Sequence, residues 1–225
     1  MSKRPIGPCH ICGEVTQLSF EHVPPRSAFN DRPLLHAHVK KLFRGRADLD
    51  SLSGKVHQKG AGRYTLCERC NNQTGHWYGG AFVDWAYQGM QIVQGTKGAP
   101  TLIYNFHIFP LRVIKQVVCM FFSANSSRFR DSRPELVKFV LDRDTRCLPS
   151  YVRVYAFYTL AERSRSAGVT GLLKGLDSFG GSVRSFTFSE VTFPPFGFLM
   201  TLDSPTPDDR LLDISLARQS DGTRP

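Results

Sequence analysis

Two CxxC motifs carry the strongest chemical signal in this sequence. Cys9-His-Ile-Cys12 lies near the start of the chain, and Cys67-Glu-Arg-Cys70 follows a long intervening segment. Each CxxC turn can direct two thiolates toward one ion, and two such turns complete a closed, tetrahedral four-sulfur zinc site. We predict a structural Zn²⁺ bound by these four cysteines, which supplies on the order of 10 kcal/mol toward folding. The alternative is four unrelated buried thiols.

Residues suited to phosphodiester hydrolysis lie next to both motifs in the chain. Glu21 and His22 precede two prolines, and Asn71 directly follows the last cysteine. A neutral imidazole can act as a general base near pH 7, whereas carboxylate and amide oxygens are ligands for Mg²⁺. A shared zinc ion would fix the position of Glu21 and His22 relative to Asn71. Two alternatives are a surface Glu–His pair and an Asn71 that caps the following helix.

The order of these motifs resembles that of HNH endonucleases, in the branch that reads EHVPP and then LCxxCNNxTGxWYG. The resemblance covers roughly residues 9 to 85. It implies a ββα-metal fold that holds one catalytic Mg²⁺ or Mn²⁺ against the scissile phosphate. By motif position, it implies that His22 is the general base and that Glu21 and Asn71 bind the catalytic ion.

One position departs from the family pattern. The family's middle asparagine, which braces the loop that carries the base, is replaced here by Gly62. Another group would therefore have to orient His22, and we expect either a backbone carbonyl or His57 to do so.

The charge of the chain favours an anionic partner. Its 29 Lys and Arg residues exceed 19 Asp and Glu residues, for a net charge of +10. Much of the excess lies between Arg32 and Arg63, a stretch that is read either as a solvated basic loop or as a nucleic-acid contact. Phosphate contacts position a nucleic acid without reading its sequence, so we predict DNA binding of low sequence specificity. The predicted phosphate-contacting residues are His57, Lys59, Arg63, Lys40, Lys41 and Arg44.

The elements that must position these groups follow from the hydrophobic pattern. We predict an α+β protein in which a zinc-stapled ββα module over residues 1–95 precedes a mixed α/β region over residues 96–225. In the module, the pattern predicts strands over 15–22 and 62–66 and a helix over about 75–93. In the second region, it predicts a strand over 101–109, helices from Pro110 and over 133–141, and strands over 151–160, 183–191 and 193–202.

The sequence as a whole predicts a divalent-metal-dependent endonuclease in the cytoplasm. No apolar segment approaches the ~20 residues of a membrane span, and the basic start lacks a signal-peptide core. A reducing compartment also favours metal binding by CxxC pairs over disulfides. Two alternatives are a non-catalytic zinc-stapled nucleic-acid-binding protein and a nuclease effector, a toxin or antiphage factor, activated by a ligand or partner. The oligomeric state, including a homodimer, and the role of residues 96–225 in target choice, dimerisation or regulation stay open.

Overall fold

The amino-terminal part consists of two small sheets. The computed structural model describes residues 4–37, 54–96, 103–159, 164–174 and 184–215. Strands β1 (Ile6–Pro8), β2 (Val15–His22) and β5 (Gly62–Cys67) form an antiparallel sheet with β2 in the centre. Strands β3 (Leu34–His36) and β4 (Lys55–His57) pair separately as a two-stranded ribbon. The predicted strands over 15–22 and 62–66 are confirmed.

A long helical segment begins directly after β5. It comprises α1 (Glu68–Thr74), a π-helical turn (Gly75–Gly79) and α2 (Gly80–Gly95). The Cys67 sulfur caps α1 by accepting a hydrogen bond from a backbone amide of the first turn. The helix therefore begins seven residues earlier than its apolar pattern predicts, because the cap belongs to the CxxC motif. Asn71 consequently lies within α1, and its interpretation as an N-cap is wrong.

The rest of the chain forms two helices and a second sheet. Helices α3 (Pro110–Ala124) and α4 (Pro134–Leu141) lie where they were predicted. Both have proline in the first turn, which was predicted for α3. A 3₁₀ turn (Ser127–Arg130) joins them. The antiparallel sheet has the order β10-β6-β9-β8-β7. Its strands are β6 (Val152–Tyr158), β7 (Arg165–Lys174), β8 (Arg184–Phe193), β9 (Phe196–Leu202) and β10 (Leu212–Asp213).

The predicted strand over residues 101–109 is wrong. Residues 103–109 form no strand, and residues 101–102 lie outside the described ranges. The Gln88 side chain takes both backbone hydrogen bonds of His107, which strand pairing would otherwise use. Its Nε2 donates to the His107 carbonyl oxygen (2.8 Å), and its Oε1 accepts from the His107 amide (2.8 Å). The alternating apolar residues instead place Phe106 and Ile108 against the core.

Helix α3 is the centre of the packing. Every residue from Val113 to Ala124 is buried, and α3 contacts β5, the π-helical turn, α2, α4, β7 and β8. One hydrophobic core includes Leu66 and Trp85 from the first region together with Phe198 from the second. The protein is therefore a mixed α/β structure. The division into residues 1–95 and 96–225 stays a prediction, and the described residues share one core across it.

The described part of the chain has no helix long and apolar enough to cross a membrane.

Candidate metal centres and active site

The four CxxC cysteines converge on one point. Their sulfur atoms all lie within 4.8 Å of one another, and those of Cys12 and Cys67 are 3.7 Å apart. A tetrahedron with zinc–sulfur bonds of ~2.3 Å has sulfur–sulfur edges of about 3.8 Å. Cys9, Cys67 and Cys70 are buried and Cys12 is half-buried. The cluster could therefore hold a metal such as zinc, with little access for solvent.

The chemistry of the cluster also fits a cation. The hydrogen bond between Cys9 and Cys70 lowers the pKa of Cys9 to about 4 and is the main cause of a raised pKa at Cys70. The thiols thus compete for protons, and a dication that displaces those protons would satisfy all four sulfurs. His10, which lies between the first two ligands, bonds instead through Nδ1 to the Phe122 carbonyl oxygen (3.1 Å).

Residues from the second region support the first CxxC turn. The Nε of Arg130 donates to the Ile11 carbonyl oxygen (3.1 Å). The same guanidinium lies over Gly13, where a Cβ would come within 2.5 Å of its Cζ. Gly13 also has a φ of +81°, so glycine is required there both for backbone conformation and for the approach of Arg130.

Glu21 is a buried carboxyl group on the face of β2 that packs toward the helices. Glu21 is 7% exposed. Burial raises the pKa of the Cys119 thiol of α3, and the charge of ionised Glu21 raises it further. Burial alone raises the pKa of Glu21 to about 8. Within the described ranges, no side chain forms a hydrogen bond or ion pair with this carboxyl group. A buried carboxyl group without a partner fits a cation ligand, because a bound cation would compensate for the loss of hydration.

Replacing Glu21 by glutamine is expected to stabilise the protein at pH 7 in Mg²⁺-free buffer. Below pH 4.5, the ordinary carboxyl pKa, the group is neutral in both states and the wild type keeps its full stability. As the pH rises from 4.5 toward about 8, only the unfolded chain ionises, so wild-type stability falls and then levels off above the folded pKa. At about 1.4 kcal/mol per unit, glutamine gains on the order of 3 kcal/mol at pH 7.

Urea unfolding of zinc-loaded protein at pH 5 and pH 7 measures this gain. Glu14→Gln is the matched control, because Glu14 is an exposed carboxylate at the start of the same hairpin. Its free energy of unfolding should change little at either pH. A Glu21→Gln variant whose gain does not increase between pH 5 and pH 7 would contradict the buried, neutral carboxyl group.

The Asn71 side chain of helix α1 is hydrogen-bonded to β2, the strand that carries Glu21. The amide Nδ2 of Asn71 donates to the Ser19 Oγ (3.0 Å) and to the Phe20 carbonyl oxygen (3.3 Å). Phe20 directly precedes Glu21, so helix α1 holds the amide beside the backbone that carries the carboxyl group. No hydrogen bond to the Asn71 Oδ1 occurs among the residues that the structure covers. An amide oxygen and a carboxyl group are suitable ligands for a hard cation.

His22 ends strand β2 in a defined orientation. Its Nε2 lies 2.9 Å from the Lys59 carbonyl oxygen, and the Phe20 ring meets the imidazole edge-on at 4.9 Å. A carbonyl oxygen only accepts, so Nε2 carries the proton and Nδ1 keeps its lone pair. Burial lowers the pKa of His22, which keeps the imidazole neutral at pH 7. Of the two expected orienting groups, the backbone carbonyl is present, whereas His57 packs against His36.

Glu21 and His22 point to opposite faces of the strand. Consecutive strand residues alternate in direction, and His22 shares its face with Phe20 and Tyr64. Both side chains could contact one phosphate only if that phosphate lay at the end of β2, where the turn before Ala28 begins. The prolines end the strand at this point.

The missing middle asparagine has a steric explanation. Gly62 pairs with His22, and a Cβ there would lie 2.4 Å from the Glu21 carbonyl oxygen and 2.6 Å from the Phe20 ring. No side chain therefore fits at this position.

Asn30 links the turn after β2 to the turn before β5, and it was not predicted from the sequence. This residue is 1% exposed, and its Nδ2 donates to the carbonyl oxygens of Pro24 and Ala61 (2.7 Å each). Its Oδ1 accepts from the Ala61 amide (2.6 Å). Asn30 thereby joins the turn after β2 to the turn before β5. No sequence signal separates it from an ordinary turn asparagine, because its role depends on a distant backbone.

The predicted phosphate contacts are only partly described. Lys59 is exposed and supplies the carbonyl that orients His22. Arg63 is also exposed, but it pairs with Glu21 in the hairpin, so its side chain lies on the face opposite His22. His57 is half-buried in the ribbon. Lys40, Lys41 and Arg44 lie outside the described residues. The exposed cations whose charge acts on the imidazole are Lys59 and Arg26, and Arg26 was not predicted from the sequence.

The four-thiol cluster thus lies at one end of the β2–β5 pair and the His22 imidazole at the other, with the buried Glu21 carboxyl group next to His22 and the Asn71 amide anchored to the same strand. Comparison with protein-family models, with curated proteins and with solved structures found no match to this chain.

Proposed function

We propose that this protein is a divalent-metal-dependent endonuclease that hydrolyses phosphodiester bonds in DNA. The observation that carries the proposal is the His22 imidazole, whose pKa is lowered by burial and which is fixed through Nε2. It ends the strand that also holds the buried Glu21 carboxyl group, which has no hydrogen-bond partner among the described residues. Asn71 adds an anchored amide beside that strand. The HNH-like order of these residues in the chain supports the same chemistry.

In this proposal, each side chain has a role that suits its chemistry. Glu21 and Asn71 would hold Mg²⁺ or Mn²⁺, which when bound offsets the charge on the phosphate and on the leaving oxygen. His22 would accept the proton of the attacking water at Nδ1. The imidazolium then formed is stabilised by the Lys59 carbonyl oxygen at Nε2.

The surrounding charge supports a nucleic-acid substrate. Lys59 lies next to His22, and Arg63 is exposed on the other face of the same hairpin; both would contact phosphates of the bound nucleic acid. The net charge of +10 adds a long-range attraction to a polyanion. In this proposal, Zn²⁺ is structural: it holds the start of α1 against β2 and takes no part in the chemistry.

Plasmid cleavage by zinc-loaded protein tests the proposal. We expect supercoiled plasmid to be nicked or linearised when Mg²⁺ or Mn²⁺ is added and to stay intact without either ion. Cleavage should also be insensitive to the plasmid sequence. Parallel reactions with single-stranded DNA and RNA identify the preferred substrate. Binding of DNA without cleavage in either metal would contradict the proposal and support a non-catalytic nucleic-acid-binding protein.

A further inference from the structure

We infer that Ser19 is a positioning residue, which fixes the atom of the Asn71 amide that faces the catalytic cation. The inference rests on the proposed function, because it concerns the same cation site. Ser19 is 9% exposed and lies on β2 between the CxxC-linked end of the hairpin and Glu21. Neither the motif pattern nor the family resemblance assigns it a role.

The direction of two hydrogen bonds defines the orientation of the amide. The Ser19 hydroxyl lies 2.9 Å from the Leu66 carbonyl oxygen, which can only accept, so the hydroxyl proton is used there. Toward Asn71, the Ser19 oxygen can then only accept a hydrogen bond. The amide must present its Nδ2 at this contact (3.0 Å). The polarity follows from chemistry and does not depend on which amide atom is labelled nitrogen.

A second acceptor strengthens the same orientation. The Phe20 carbonyl oxygen accepts from the other proton of the Asn71 Nδ2 (3.3 Å). Both protons of Nδ2 are thus used, and Oδ1 keeps its lone pairs for a cation. An inverted amide would place Oδ1 against two acceptors. The serine contact is the shorter of the two, and it is the one that a substitution can remove.

The local backbone explains why a hydroxyl is present. The register of β2 and β5 shifts between Ser19 and Phe20, at a bulge. Bulges leave ladder groups without a strand partner, and buried carbonyl groups require a donor. Ser19 donates to Leu66 at this point and accepts from Asn71. One short side chain therefore connects the irregularity of the hairpin to the orientation of the cation ligand.

Direct metal binding tests the inference without relying on activity. Mn²⁺ is titrated into zinc-loaded protein in the absence of nucleic acid, and free Mn²⁺ is followed by electron paramagnetic resonance. Ser19→Ala is expected to weaken the apparent Mn²⁺ affinity by about 10-fold or more, the size of effect seen when a partner of a metal ligand is removed. Ser19→Thr keeps the hydroxyl and should retain the wild-type affinity. Ser19→Cys, nearly isosteric but a weak hydrogen-bonding group, should behave like alanine if Ser19→Ala does not fold.

Ser123→Ala is the matched control. Ser123 is also a buried hydroxyl that accepts a hydrogen bond from the Thr65 hydroxyl (3.0 Å), and none of the hydrogen bonds of Asn71 in the described ranges involves it. This variant should lose stability and keep its Mn²⁺ affinity, whereas Ser19→Ala should lose both.

Asn71→Ala separates failure of this inference from failure of the proposed function. If Asn71→Ala loses Mn²⁺ binding while Ser19→Ala, or Ser19→Cys, binds like the wild type, the role of Ser19 is overturned and the nuclease proposal stands. If Asn71→Ala itself binds Mn²⁺ and cleaves DNA like the wild type, the proposed site is overturned, and the role of Ser19 with it.

Discussion

Replacing His22 by alanine is expected to leave a folded, zinc-loaded protein that no longer cleaves plasmid DNA. A general base contributes about 10²–10⁴-fold to a hydrolysis rate, so cleavage should fall below detection in a nicking assay. The fold should survive because the imidazole is only half-buried and makes one described hydrogen bond, to the Lys59 carbonyl oxygen. Initial rates in Mg²⁺ and in Mn²⁺, together with zinc content and thermal unfolding, measure both parts of the expectation.

His107→Ala is the control for this substitution. His107 is exposed, and its hydrogen bonds to Gln88 use only its backbone groups, so its side chain can be removed without loss of the fold. The variant should cleave like the wild type. Cleavage by His22→Ala at the wild-type rate would remove the general-base assignment. A His22→Ala protein that is inactive because it has lost zinc or unfolded would contradict the expected separation of chemistry from folding.

Replacing Cys67 by serine should have the largest effect on structure. The Cys67 sulfur belongs to the four-thiol cluster and also caps α1, so one substitution removes a metal ligand and a helix cap. Loss of a structural zinc site removes on the order of 10 kcal/mol, which equals or exceeds the whole stability of many domains. We expect the variant to contain no zinc and to lose the helical signal of α1 in circular dichroism.

Cys147→Ser is the matched control for the cluster. Cys147 is exposed and does not belong to the group of sulfurs. This variant should keep one zinc per chain and the wild-type unfolding transition. Treatment of the wild type with a strong chelator should reproduce the effect of Cys67→Ser. A wild-type protein that stays folded after its metal is removed would contradict a structural role for the cluster.

The two substitutions test different parts of the molecule. His22→Ala should remove activity without structure, whereas Cys67→Ser should remove both. The reason is geometric: the cluster sets the position of α1 against β2, and Asn71 reaches Ser19 and Phe20 only from that helix. Failure of the first expectation alone would leave a zinc-stapled, basic protein whose Glu21 and His22 have no catalytic role.

Much of the fold could be predicted because its signals are local. Alternation identified β2 with its observed ends, and proline in the first turn identified the start of α3. Helix α4 was predicted over 133–141 and begins one residue later, at Pro134. The strands β6, β8 and β9 also lie where the pattern predicts them. Each of these depends on a few neighbouring residues whose period or backbone restriction is visible in the sequence.

The errors occurred where a distant group replaced a local one. Apolar and polar residues alternate over residues 103–109 as they do in a strand. The Gln88 side chain, however, takes the backbone hydrogen bonds of His107. Strand β7 (Arg165–Lys174) was not predicted, because its small and polar residues carry little apolar alternation and its pairing with β8 supplies the order. One error has a local cause instead: helix α1 began earlier than expected because the sulfur of Cys67, which belongs to the four-thiol cluster, caps it.

By itself, the sequence determined the four-cysteine group and the identities of the three groups proposed for catalysis, because these depend on residue type and short spacing. The tertiary structure decided their environment. Helix α1 packs against β2, Cys119 of α3 lies close enough for the charge of Glu21 to act on it, and burial raises the pKa of Glu21 to about 8. Asn30 and Ser19 orient the loop and the amide through backbone groups far along the chain. Burial and hydrogen-bond direction arise only when distant segments meet, and no local pattern encodes them.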